Sequence, residues 1–260
     1  MSLTSLSKTS DFRQTCDKHF ISPPKIKMVG LGGIMPLTTE YALTGMAFSY
    51  LYRLLLMQSR NDFVAGEFVA EMSNAPEVHS FQEKLQKVKS LSMQELAQLA
   101  LIAALLDKDA RTGVIAFPQL TSGKAIHMGK IIDDLLAMSA PLLSRKASKS
   151  KVLMNYHFGS VGRVVGGADN AVIVGSTMVR TSTSKYAHLH PDLWYQMLGY
   201  WALHNSQSGV WVDRKRYDIE LDSFVIYFAR YQKSLRFAIK DIALKDMFHP
   251  QYKNILGVGA

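Results

Sequence analysis

A chain of 260 residues, 48% hydrophobic and 20% charged, has the composition of a packed globular protein, which excludes wholesale disorder and a collagen-like repeat. Thirty Lys and Arg against 21 Asp and Glu leave a formal charge of +9, so the chain attracts polyanions at long range without specifying which. A single cysteine, Cys16, excludes an intramolecular disulfide and a cysteine-rich zinc site, and points to a reducing, cytoplasmic compartment.

Residues 1–30 mix Ser, Thr, Lys, Asp, Arg and His without the apolar core of a signal peptide, and read as a partly flexible lead-in. From Leu37 to Arg60, the apolar residues Leu43, Ala47, Tyr50, Leu51, Leu54 and Leu55 recur at helical steps behind two candidate N-caps, Thr38 and Thr39. A second helix is predicted over Glu77–Lys89. Ser92 and Glu95 form a capping-box pattern ahead of a third helix, Leu96–Asp107. Its apolar run is too short for a bilayer, which needs about 20 residues, so no membrane partner is expected. A fourth helix is predicted over Lys124–Leu143.

After the basic stretch Ser144–Lys151 the texture changes to short β-branched runs punctuated by Gly, at Val152–Phe158, Arg163–Gly166, Ala171–Val174 and Thr177–Thr181. A helix over Pro191–Asn205 begins with Pro, where a missing N–H costs nothing. Two strands, Ser223–Arg230 and Leu235–Ile239, and a terminal helix or coil from Asp241 complete the pattern. This order predicts an α/β chain with one central mixed sheet, helical over about 37–145 and sheet-forming over about 150–240, in a single domain spanning 31–260.

Most common site classes find no support. Leu31-Gly32-Gly33 lacks the Gly-Lys-Ser/Thr ending of a phosphate loop, no Gly-x-Ser-x-Gly elbow occurs, and Cys16 has no placeable base. His188 and His190 fall short of the three or four ligands a metal requires and read as a solvated loop. The thirteen Met residues read as core filler.

Three pieces stand in order in the second half: Gly166-Gly167-Ala168-Asp169, the strand Thr177–Thr183, and Gln196 with Tyr200 on the next helix. Upstream, Gly45 to Arg53 falls in the first helix. This order resembles the RecB-type branch of the PD-(D/E)XK nuclease superfamily, with its G-x-x-D, D/E-x-K and Q-x-x-x-Y motifs, over roughly Leu37 to Ile239. The resemblance implies a restriction-endonuclease-like mixed sheet flanked by helices. In that chemistry two acids on a hairpin hold a divalent metal through oxygen ligands, and a lysine two residues on shares their face. Gln and Tyr, four apart, share one face of the following helix and hold substrate.

The chain departs from the pattern at the decisive positions. In the D/E-x-K register Arg180 replaces the acid and Ser182 the lysine, and no Asp or Glu lies between Asp169 and Asp192. Ser49 stands near the place of the first helix's metal-binding His. Asp169 therefore reads as an inactive remnant, held by Arg180 through a bidentate pair. The expected function is a nucleic-acid-binding or architectural subunit, without a cofactor, in a bacterial or phage DNA-processing or defence system. Its partners would be nucleic acid, DNA first, and another protein subunit. Arg180, Lys185, Gln196, Tyr200, Arg145, Lys146, Arg214, Lys215 and Arg216 are the candidate contacts, since clustered cations bind phosphates through counterion release. Two alternatives stand beside it. One is an active magnesium-dependent nuclease in which Glu67 and Glu71 join Asp169 as metal ligands and Lys185 replaces the lysine. The other is a protein-interaction module that binds no nucleic acid.

Overall fold

The computed structural model describes residues 3–28, 32–113, 122–142, 150–159, 172–186, 188–207 and 209–244. Eight α-helices run through them in chain order: α1 Leu3–Leu6, α2 Ser10–His19, α3 Tyr41–Ser59, α4 Glu77–Gln86, α5 Met93–Thr112, α6 Ser122–Ser139, α7 Pro191–Gln207 and α8 Ile239–Ile242. The strands are β1 Phe63–Ala65, β2 Val152–Met154, β3 Val172–Val174, β4 Thr177–Ser182, β5 Val210–Val212, β6 Lys215–Tyr217, β7 Ser223–Phe228 and β8 Lys233–Ala238.

Six strands form one mixed sheet in the order β1-β2-β3-β4-β7-β8, and β5 and β6 form a separate hairpin. β2, β3 and β4 make an antiparallel meander, with Gly175 at positive φ in the β3–β4 turn. The chain then crosses over through α7 and returns as β7, parallel to β4 and in register along it from Thr177↔Ser223 to Ser182↔Phe228. A parallel neighbour requires such a crossover, and α7 supplies it. β8 closes this edge by antiparallel pairing with β7.

Strand side chains alternate between faces, so one sheet serves two cores. Leu153, Ile173, Met178, Phe224, Ile226 and Phe228 pack with α7 and the N-terminal helices. Val152, Met154, Val172 and Tyr227 pack with α3, α5 and α6 on the opposite face. α3 carries buried residues on most of its circumference, as a helix enclosed between layers must. α5 packs against it and buries Ala97, Ala100, Ala103 and Ala104 completely, small side chains that suit close helix packing. The Ser92–Glu95 capping box forms: Ser92 Oγ accepts from the Glu95 N–H, and the Glu95 carboxylate accepts from the Ser92 N–H at 2.7 Å. At the far end of α5, Gly113 caps in the left-handed conformation.

The structure differs from the sequence expectations in several places. Residues 3–28 are not a loose lead-in: α1 and α2 pack on α7, burying Leu3, Phe12, Cys16 and Phe20. Thr4 Oγ1 accepts from Gln196 Nε2 at 2.6 Å, Asp17 accepts from the Tyr195 hydroxyl, and Arg13 pairs with Asp192, so polar ties reinforce the packing. The N-cap of α3 is Glu40, and Thr38 instead accepts from the Glu40 N–H. The expected strand Val152–Phe158 stops at Met154 because Asn155 adopts positive φ, after which His157 bridges to Trp211. β1 and the β5–β6 hairpin were not anticipated. The expected strand Arg163–Gly166 lies outside the described residues. Among the described residues no helix is long and apolar enough to cross a membrane.

Candidate nucleic-acid interface

β4 extends past the start of β3, and Arg180 is the first residue of this extension. It shares a face with Met178, the face covered by α7, which brings it to Tyr200. Arg180 Nη1 donates to the Tyr200 hydroxyl at 3.2 Å, and the guanidinium carbon lies 5.7 Å from the Tyr200 ring centroid. The sequence motif thus joins two of its members in space. Arg180 Nε is buried and has no hydrogen-bond partner among the described residues, where no carboxylate pairs with this guanidinium either. A half-buried cation left in this state retains capacity for an anion.

The residues around it are also hydrogen-bond donors. Tyr156, just beyond β2, is buried and its hydroxyl has no partner among the described residues. Its ring meets Phe158 edge-on, and Phe158 in turn lies 6.1 Å from the Tyr200 ring. Burial first, and the neighbouring Tyr200 second, hold the Tyr156 hydroxyl well above the ordinary phenol range; Arg53 and Arg180 pull it back. Arg53 is therefore close enough to act on the same phenol from α3. It is 5% exposed, its Nη2 donates to Ser49 Oγ at 3.4 Å, and it stacks over Tyr50 at 5.2 Å. Ser49 therefore serves this arginine. Gly45, one turn earlier, lets α3 approach the end of β4, since a Cβ there would stand 3.0 Å from Thr183 Oγ1.

The remaining candidates divide sharply. Gln196 is 5% exposed and bonded to Thr4, so it fastens the N-terminal helices to α7 and does not line an open cleft. Lys185 follows β4 and lies over the rings of Tyr41 and Tyr186, at 5.1 and 5.6 Å. Arg214, Lys215 and Arg216 stand exposed on the β5–β6 hairpin, where Arg216 pairs with Asp218 at 2.8 Å and Lys215 lies over Tyr217. Asp169, Arg145 and Lys146 lie outside the described residues, and with them the expected pairing of Asp169 with Arg180. Glu71 is committed elsewhere: its Oε2 accepts from the Phe68 N–H at 2.8 Å in a capping arrangement, and its Oε1 accepts from Gln82. Glu67 is exposed. No group of three or more His, Cys, Asp or Glu able to hold a metal occurs among the described residues.

Sequence reasoning missed Arg53 and Tyr156. A signal for Arg53 existed, because a lone arginine in an otherwise apolar helix must find polar company or lose stability. Tyr156 gave none, since it reads as an ordinary strand residue. A separate hollow of about 710 Å³ opens on the opposite face of the sheet, lined by Tyr52, Leu56, Arg60, Thr177, Val179 and Arg236 among others. Strand alternation keeps it apart from Arg180, and it belongs to a different region of the molecule.

No family model matches the chain, and the searches of curated proteins and of solved structures likewise return no match.

Proposed function

We propose that this chain is a catalytically degenerate PD-(D/E)XK-like protein that binds nucleic acid, DNA first, through its phosphates. The observation that carries the reading is Arg180. At the position where a nuclease of this kind needs a metal-binding acid, β4 presents a guanidinium seated on Tyr200 and free of carboxylates among the described residues. Arg53 and the hydroxyls of Tyr156 and Tyr200 add further donors. Such a group repels a divalent cation and suits the oxygens of a phosphate.

The element order also supports the reading. A hairpin carrying the motif strand, then a helix carrying Gln196 and Tyr200, then a strand parallel to the first is the arrangement in which those motifs would converge. The commitment of Glu71 to a cap weighs against an active site rebuilt from migrated acids. A bacterial or phage DNA-processing or defence system is the setting this reading suggests, with a second protein subunit as companion.

The test is fluorescence anisotropy of a labelled duplex titrated with the protein at several salt concentrations. The reading predicts binding that weakens linearly in log–log form as salt rises, with a slope reduced by about one for each phosphate-contacting cation removed. Binding indifferent to salt, or none, refutes it.

A further inference from the structure

Beyond β4, residues 188–190 run beside the segment before residue 29, held by a bridge between Lys27 and His188 and by the Leu189 N–H donating to the Ile26 carbonyl at 3.2 Å. Extended backbone alternates its side chains. Leu189 turns inward and is buried, while Tyr186, His188 and His190 stand exposed in a row. Their rings form a ladder, with centroids 5.7 Å apart from Tyr186 to His188 and 6.3 Å from His188 to His190, tilted by 42° and 36°. Tyr186 is 57% exposed and Tyr41, on the other side of Lys185, is 46% exposed. Lys185 spans the two tyrosines and Lys27 flanks the ladder.

The base of this platform is tied down by hydrogen bonds. Tyr231 donates its hydroxyl to the Lys185 carbonyl, and Arg230 Nε donates to the Thr183 carbonyl at 2.9 Å. Arg230 is fixed in turn by Asp134, through a pair that is almost fully buried. Two acids stand beside the platform: Glu40 precedes Tyr41, and Asp192, which pairs with Arg13, also donates its N–H to His190 Nδ1 at 3.2 Å and places its carboxylate 3.6 Å from that nitrogen. The core does not use these rings: a row of exposed aromatics interleaved with lysines is the composition that stacks nucleobases while its cations meet the backbone. In a duplex the bases are already stacked on one another and their faces are hidden.

We infer that the edge formed by Tyr41, Lys185, Tyr186, His188 and His190 is a stacking platform for the unpaired bases of single-stranded nucleic acid. The inference rests on the phosphate-binding reading above and extends it, by assigning the single strand to the end of β4 beyond Arg180. The platform reads ring faces, so it accepts any base and either sugar.

The experiment measures anisotropy with four labelled probes of equal length: an oligothymidylate, an oligouridylate, an abasic strand and a duplex. It compares the full chain with Tyr186→Ala, Tyr186→Trp and Tyr41→Ala, whose folding is checked by circular dichroism. Tyr186→Ala should weaken binding to both base-bearing single strands by roughly tenfold or more, the scale of one stacked base. Tyr186→Trp should retain it, Tyr41→Ala should weaken it as Tyr186→Ala does, the abasic strand should bind the parent chain no more tightly than the thymidylate binds Tyr186→Ala, and duplex affinity should not change. If duplex binds in a salt-sensitive manner while the abasic strand matches the thymidylate, or Tyr186→Ala behaves as the parent, the platform is overturned and the phosphate reading survives. If no probe binds, both fall.

Discussion

Arg180 sits where its chemistry is most consequential, because a guanidinium on a half-covered strand needs an anion or a polar partner. Tyr200 satisfies one of its N–H groups, and Nε has no partner among the described residues. Replacing Arg180 with Gln should therefore weaken duplex binding by about tenfold or more, the range of a charge-assisted hydrogen bond, with little change in the thermal midpoint. Anisotropy and a thermal melt on the same preparation check both halves of the prediction. A second residue-scale consequence concerns His204 on α7, 2% exposed and lining a hollow with Asn205, Asp218, Ile219 and Glu220. Burial depresses its pKa from 6.5 to about 4, opposed only by weaker contacts with Asn205 and Ile219. The unfolded chain therefore binds a proton that the folded chain refuses between these values. Stability from this ring is intact above pH 7 and falls as pH drops from about 6.5 towards 4, by on the order of 3 kcal/mol. Urea unfolding at pH 7.0 and 4.5 should show that loss, and His204→Phe should lack most of it.

Elements with a strong local signal were legible in the sequence. The Ser92–Glu95 pair marked the start of α5, Pro191 the start of α7, and β-branched residues β3, β4 and β7. Ser92→Ala should cost about 1 kcal/mol in urea unfolding by removing that cap. The elements that escaped are those whose stability is tertiary. β1 and the β5–β6 hairpin are three residues per strand, too short for alternation to register. α2 buries Phe12 and Cys16 at a four-residue step, with Phe20 one step further, but polar residues dilute the signal, and only docking on α7 reveals it. That docking burdens Gln196 with a structural task. Gln196→Ala should lower stability by about 1 kcal/mol through the lost bond to Thr4, and leave duplex affinity unchanged. A loss of affinity at constant stability would return Gln196 to the interface. Of the candidate site, Arg180 and Tyr200 were both legible as candidates, but the partner expected for Arg180 was Asp169, and its bond to Tyr200 emerges only where α7 packs on the sheet. The contributions of Arg53 and Tyr156 depend on how α3 and the end of β2 meet across the sheet, which periodicity does not encode.

For the whole molecule, two cores on one sheet leave a cationic cluster at the end of the central strands, and a buried ion pair secures its surroundings. Arg230 and Asp134 are 1% and 0% exposed at the side chain, and the Arg230 guanidinium also donates to the carbonyls of Thr183 and Ile34. The pair joins α6 to the end of β4 and to the segment before α3. Asp134→Ala strands a buried cation and should cost 3–5 kcal/mol, a range taken as roughly that for breaking buried pairs, read by chemical denaturation. The +9 charge gives the molecule a long-range pull on any polyanion, and the cluster gives that pull a focus. The most direct test of this account is a magnesium and manganese titration of the protein with labelled duplex DNA, reading binding and cleavage from the same samples beside Asp169→Ala and Arg180→Gln. The account predicts salt-sensitive binding that needs no metal, no cleavage at any metal concentration, and weakened binding in Arg180→Gln. Metal-dependent cleavage that disappears in Asp169→Ala would contradict it.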